Sequence, residues 1–138
     1  MTAEPPGRVT VHTDGGARGN PGPAAIGVVV CADDGTVLIE VAERIGEATN
    51  NVAEYRALLR GLEAAAELGA SEVEVVCDSE LVARQLTGAY RVRHAALRPL
   101  HAQAVQALAR FRRSSIRTVP RAQNARADAL VNRALDGG

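Results

Sequence analysis

The sequence predicts an α/β domain: a five-stranded mixed sheet, three strands antiparallel and two parallel, flanked by helices. Three strand-like segments follow one another before the first helix-like segment, which makes an antiparallel meander the simplest pairing. Beyond residue 50, helical and strand-like segments alternate, so the later strands must join the sheet through crossovers. Length bounds the rest: 138 residues make one domain with a proper core and no need of disulfide staples.

Residues 1–8, which include Pro5-Pro6-Gly7, read as a loose tail, and 9–136 as a single domain. Residues 9–13 read as a strand running directly into a glycine-rich turn. Residues 24–32 form a continuous apolar run, Asp33-Asp34-Gly35 is a hairpin-type turn, and 36–45 return as a strand. The segment 51–68 carries apolar residues at 52, 55, 59, 62 and 66, a helical stripe that Gly69 ends. A short buried strand follows at 72–77, then a helix at 79–86 and a linker at 87–93. The chain closes with a long Ala, Leu and Gln-rich helix at 97–111, a last strand at 115–119 and a last helix at 124–135. Asp14 and Asp78 then both lie at the carboxyl ends of strands, where open α/β sheets build ligand crevices.

Hydrophobic residues make up 46% of the chain and aromatics only 2%, so the core must be built from Val, Leu, Ile and Ala. No apolar run approaches a membrane span, and residues 1–8 lack the apolar stretch of a signal peptide, so no membrane partner is expected. Cys31 and Cys77 lie in apolar strand-like runs without CxxC spacing; they read as buried free thiols in a reducing cytoplasm, not as a disulfide or a zinc site. The net charge of zero hides a split. Residues 81–127 hold ten arginines and no acid, whereas residues 1–80 hold five arginines and fourteen acids. Such a split suits a polyanion engaged on one side; a generally solvated surface is the alternative.

Four acids stand at expected element ends beside small or amide residues: Asp14 in Thr13-Asp14-Gly15-Gly16, Glu54 in Asn50-Asn51-Val52-Ala53-Glu54, Asp78 in Cys77-Asp78-Ser79, and Asp128 in Ala127-Asp128-Ala129. Each also has a purely structural reading. Asp14-Gly15 is a turn signal. Asn51-x-x-Glu54 mimics a capping box with Asn51 as the N-cap. Asp78 or Ser79 could cap the next helix. Asp128 falls in the first turn of a helix capped by Asn124, where the dipole favours an acid.

Taken together, four carboxylates at such ends suit hard divalent cations and metal-assisted cleavage of a phosphodiester. Two magnesium ions about 4 Å apart can clamp the attacking and leaving oxygens of an in-line displacement. Asp14 is the best candidate to bridge both, Glu54 and Asp78 complete one site, and Asp128 stands on the other. Glu54 could also orient or deprotonate the incoming water. Gly15, Gly16, Gly19 and Gly22 permit backbone approach to a ligand. Asn20, Asn50 and Asn51 offer amides that can donate to and accept from a ribose 2′-hydroxyl. Thr49 and Arg18 could touch phosphate. A Rossmann-type phosphate loop is disfavoured, because these glycines precede a strand and not a helix.

These motifs, in this order, resemble type 1 ribonuclease H, the endonuclease that cuts the RNA strand of RNA–DNA hybrids; the resemblance covers residues 9–135. It implies a ribonuclease H-like fold, with catalytic and metal-ligand roles for Asp14, Glu54, Asp78 and Asp128. It implies two Mg2+ ions per site, with Mn2+ as a substitute, and products with 5′-phosphate and 3′-hydroxyl ends. Asn20, Asn50 and Asn51 fall where the family reads the RNA 2′-hydroxyls, and Thr49 where it grips a DNA phosphate. Gly15, Gly16, Ser79, Arg121 and Asn124 complete the expected substrate contacts.

The likeness is greatest to the compact actinobacterial form, some members of which carry a fused C-terminal phosphatase domain. This chain could be a free monomeric protein or the first domain of such a fusion. Two departures stand out. Many members carry a histidine on the loop before the last acid, where Val119-Pro120-Arg121-Ala122-Gln123-Asn124 has none and Arg121 is the nearest polar substitute. The basic, tryptophan-containing handle of other members is here the short stretch 88–94, in which Tyr90, Arg91 and Arg93 could substitute in part. His94 and His101 read as surface residues, not ligands. The alternatives are a non-catalytic module binding hybrid or double-stranded RNA, and a relaxed nuclease that also cuts double-stranded RNA. The four acids argue against a pure binder, which gains nothing from clustered negative charge beside phosphates.

Overall fold

The computed structural model describes residues 5–137. The elements run β1 (Arg8–Ala17), β2 (Gly22–Ala32), β3 (Val37–Ala48), α1 (Asn50–Glu67), β4 (Glu72–Cys77), α2 (Glu80–Leu86), α3 (Arg98–Ala109), β5 (Arg113–Thr118) and α4 (Ala125–Leu135), with a 3-10 turn at Arg121–Asn124. They form one five-stranded sheet in the order β3-β2-β1-β4-β5. β1, β2 and β3 pair antiparallel, while β4 lies parallel to both β1 and β5. The mixed sheet expected from the order of segments is therefore the sheet that forms.

β1 is longer than its hydrophobic alternation suggests. Its parallel partner β4 leaves it at the His12–Val76 pair, but the antiparallel ladder to β2 continues to Ala17 opposite Ala24. The tight turn therefore begins at Arg18, not after Thr13, and Asp14 sits inside a strand held on one side only. β3 likewise runs on to Ala48, since the start of β2 at Gly22 needs a partner there. Of the tail expected over 1–8, residues 1–4 lie outside the described residues. Gly7 is tied down, its carbonyl accepting from the Ser71 and Glu72 amides and the Ser71 hydroxyl, and Arg8 opens β1.

Alternation along β1 sends Val9, Val11 and Thr13 toward α1, where they meet Tyr55, Leu58 and Leu62; α3 closes this main core with Leu97, Ala104 and Phe111 beside it. The buried Tyr55 hydroxyl donates to Gln85 Oε1 at 2.5 Å and ties α1 to α2, and burial pushes the phenol up to about 12. Cys77 is buried, and burial raises its thiol to about 11; Cys31 is only partly buried, a correction to the expected pair of buried thiols. Both are free. No helix among the described residues is long and apolar enough to cross a membrane.

α4 packs on the opposite face of the sheet, with Val131 and Ala134 against Ala25. Close approach there depends on Gly27, where a Cβ would overlap the Ala127 carbonyl and lie 3.0 Å from the Leu130 Cβ. Gly27→Ala should therefore push α4 off β2. Overpacking of this kind costs about 1–3 kcal/mol, which a urea titration should read as a lower midpoint with an unchanged slope.

Candidate active site

Glu54 reaches its position because the first helix begins earlier than its capping-box pattern suggests. Thr49, not Asn51, is the N-cap: its hydroxyl accepts from the Val52 amide at 3.2 Å. Glu54 is thereby released from the capping role and accepts from the Gly15 amide on β1 at 2.9 Å. The approach is possible only with glycine at 15, since a Cβ would overlap the Ala53 carbonyl. Asp78 follows the last residue of β4, and its neighbour Ser79 caps α2 by accepting from the Val82 amide. The competing duty again falls on the adjacent hydroxyl. Asp128 lies in the first turn of α4.

Asp14, Glu54 and Asp78 each place one carboxylate oxygen within 4.8 Å of the others. Asp128 lies outside that trio but lines the same cleft of about 440 Å3. Burial, then the like charges of Asp78 and Asp128, lift Asp14 from 3.8 to about 7, against a lowering hydrogen bond with Glu54. Burial, and next the charge of Asp14, hold Glu54 well above the usual carboxylate range. Little cationic charge offsets this: Arg121 Nε is 4.0 Å from Asp78 Oδ2, on a side chain 81% exposed. Asp78 Oδ2 itself is buried with no hydrogen-bond partner. An all-oxygen anionic donor set with an orphaned, buried acceptor fits a hard divalent cation.

Gly15, Gly16, Asn50, Asn51, Ser79 and Arg121 line the cleft with the acids. Asn20 joins them through a relay: its Oδ1 accepts from the Asn50 amide at 3.0 Å, and Asn50 Oδ1 accepts from the Ala17 amide at 2.8 Å. Each carbonyl oxygen holds one backbone amide, which fixes the two side chains and leaves their NH2 groups free of that relay. Thr49 is committed as a cap and does not line the cleft. Asn124 is not among the residues lining the cleft either. It is 2% exposed, its Nδ2 donates to the Thr13 carbonyl at 2.8 Å, which pins the start of α4 to β1, and its buried Oδ1 has no hydrogen-bond partner.

Asn132 was not singled out by the sequence. Its Nδ2 donates to Asp128 Oδ2 at 3.4 Å from the same cleft wall. The available signal was spacing, since a residue four after Asp128 shares its helix face. His101 is partly buried, not at the surface: Nε2 lies 3.1 Å from the Gln85 carbonyl and the ring meets Tyr55 edge-on. In the short stretch before α3, Arg84 stacks over the half-exposed Tyr90 at 5.3 Å. The charge split along the chain does not become two faces. Arg84, Arg113, Arg117 and Arg126 pair with Glu80, Glu72, Glu74 and Glu40.

A family model described as reverse transcriptase-like matches residues 12–134. A bifunctional protein of Mycobacterium tuberculosis is 51% identical over 130 residues, 94% of this chain but 36% of its own length. The chain thus spans about a third of the first curated relatives it matches. The crystal structure of RNase H1 from the halophilic archaeon Halobacterium salinarum is 50% identical, with a TM-score of 0.93 over 96% of this chain and 100% of that one. LC11-RNase H1, isolated from compost by a metagenomic approach, was crystallised in complex with an RNA/DNA hybrid; it is 46% identical, with a TM-score of 0.89 over 94% of this chain and 97% of that one. Matched along nearly its whole length in both sequence and fold, the chain belongs to the type 1 ribonuclease H family.

Proposed function

We propose that this chain hydrolyses the RNA strand of RNA–DNA hybrids endonucleolytically, leaving 5′-phosphate and 3′-hydroxyl ends. The convergence of Asp14, Glu54 and Asp78 carries the reading, and the buried Asp78 Oδ2 without a hydrogen-bond partner supports it. Asp14, Glu54, Asp78 and Asp128 would hold two divalent cations, Mg2+ or Mn2+ in its place, which when bound supply positive charge to the phosphoryl oxygens and acidify water. The chain's own part is placement. Glu54, with Oε1 fixed by the Gly15 amide, keeps its other oxygen to orient the attacking water and take its proton. The water oxygen bonds to phosphorus as the bond to the 3′ oxygen breaks, and that oxygen leaves with the bonding pair and takes a proton from solvent to become the hydroxyl.

Substrate contact falls to donors. The Asn20 and Asn50 amides would meet the RNA 2′-hydroxyls, Gly15 and Gly16 allow close backbone approach, Asn51, Ser79 and Arg121 border the path, and Thr49, outside the cleft at the start of α1, would reach a DNA phosphate. Residues 9–136 would act as one self-contained monomeric unit in the cytoplasm, where Cys31 and Cys77 stay reduced. A C-terminal phosphatase partner accords with the bifunctional relative, only 36% of which this chain matches.

Asp78→Asn should lower cleavage of end-labelled hybrid by at least about a hundred-fold while leaving the circular dichroism spectrum and melting temperature intact. Binding of hybrid by the wild type with an uncut RNA strand in both Mg2+ and Mn2+ would instead support the non-catalytic module, and a double-stranded RNA arm separates the relaxed nuclease.

The raised Asp14 carboxyl sets a pH dependence. Its native pKa of about 7 exceeds 3.8, so the native state binds the proton more tightly than the unfolded chain. That contribution is full at low pH and is lost as pH rises from 3.8 to about 7. A cation must displace this proton, so metal affinity should climb through the same window. In thermal melts, the gain in melting temperature from added Mg2+ over chelator should be larger at pH 8 than at pH 5.5, and Asp14→Asn should flatten the difference. Equal gains at both pH values would contradict it.

A further inference from the structure

Arg18 and Arg121 are the two arginines lining the cleft. Arg18 stands on the turn between β1 and β2, and its Nη2 lies 2.6 Å from Asp136 Oδ1, just beyond α4. The backbone on both sides of this pair is fixed. The Arg18 amide donates to the Pro23 carbonyl at 2.8 Å, and Asn20 ties the same turn to the start of α1. The Asp136 amide donates to the Asn132 carbonyl, and Arg44 Nε donates to the Ala134 carbonyl at 2.7 Å. The side chains themselves are open to solvent, Arg18 at 51% and Asp136 at 63% exposed.

An exposed single pair is weak and readily screened, so a better anion can displace Asp136 without any backbone movement. A phosphodiester is such an anion, because it offers a guanidinium two oxygens at once. The cleft also has need of this charge. Four carboxylates repel an incoming polyanion, so the phosphates flanking the cut site need cationic partners supplied from the rim.

We infer that Arg18 binds a backbone phosphate of the hybrid beside the cleft and that Asp136 holds it in reserve by competing for the guanidinium. The inference rests on the proposed hybrid cleavage. Phosphate binding by Arg18 adds a counter-ion release, and Asp136 subtracts affinity only while Arg18 is present.

Fluorescence anisotropy with labelled hybrid in Mg2+, on an Asp78→Asn background that blocks turnover, tests it across a salt series. Arg18→Ala should weaken binding about five- to ten-fold at low salt and reduce the salt slope by about 0.7–0.9 log units per log salt, the share of one phosphate. Arg18→Lys should retain the slope. Asp136→Asn should tighten binding by about two- to five-fold, and that gain should vanish when combined with Arg18→Ala. An unchanged slope in Arg18→Ala overturns the inference. So does an Asp136→Asn gain that persists without Arg18, which would mark general repulsion. Wild-type cleavage measured alongside keeps the two ideas apart: uncut hybrid sinks the proposed function, whereas cut hybrid with an unchanged slope sinks only the role of Arg18.

Discussion

Three carboxylate oxygens within 4.8 Å of one another repel, and in a partly buried cleft that repulsion is weakly screened. The surrounding fold holds the acids against it. Asp14 is carried by a strand still paired to β2, Glu54 by a helix seated on that strand, and Asp78 by the end of the neighbouring parallel strand. A hydrogen bond from the Gly15 amide to Glu54 then links the first two directly, so strand and helix cannot separate without exposing an unpaired acid and an unpaired amide. Part of the remaining strain is relieved by protons. Asp14 and Glu54 both retain theirs above the usual range until a cation replaces them.

Division of labour between neighbouring residues keeps the acids available. Thr49 caps α1 one turn before Glu54, and Ser79 caps α2 beside Asp78. Asn124 anchors α4 to the Thr13 carbonyl four residues before Asp128, leaving the acid on the cleft wall. In each case a short polar side chain next to the acid satisfies the local backbone. An acid asked to cap its own helix would be turned toward that helix's first amides and away from the cleft.

The positions of the strands and helices were legible because alternation and the 3.6-residue stripe are local properties. The four motifs, read together in order, also pointed to the acids that meet: Asp14, Glu54 and Asp78 cluster, and Asp128 lines the same cleft. What could not be read depends on partners distant in sequence. The extension of β1 to Ala17 is imposed by β2, and the inward turn of Asn124 by a carbonyl 111 residues earlier. The relay that fixes the Asn20 and Asn50 side chains exists only after the turn meets the helix. Charge shows the same limit. Ten arginines clustered along 81–127 look like a basic face, yet parallel pairing of β5 with β4 brings Arg113 opposite Glu72 and Arg117 diagonally within reach of Glu74, and each pair offsets its charge. Among the described residues, Arg91, Arg93, Arg98, Arg110 and Arg112 have no carboxylate within 4.0 Å, so the net cationic surface gathers around α3 and its flanks.

The scarcity of aromatic residues, at first a mere oddity of composition, follows from the same demand. α1 faces the sheet with Ala53, Ala57, Ala64 and Ala65, all fully buried, and only Tyr55, Leu58 and Leu62 add bulk. Helix–sheet distance is set by the side chains between them, and larger residues at those alanines would lift the helix. Lifting α1 would draw Glu54 away from the Gly15 amide and break that link to β1. α4 faces the same constraint on the other side, where its backbone touches the sheet at Gly27. A core of small aliphatic residues is thus a condition for bringing acids from helices on two opposite faces of one sheet to the carboxyl ends of its inner strands.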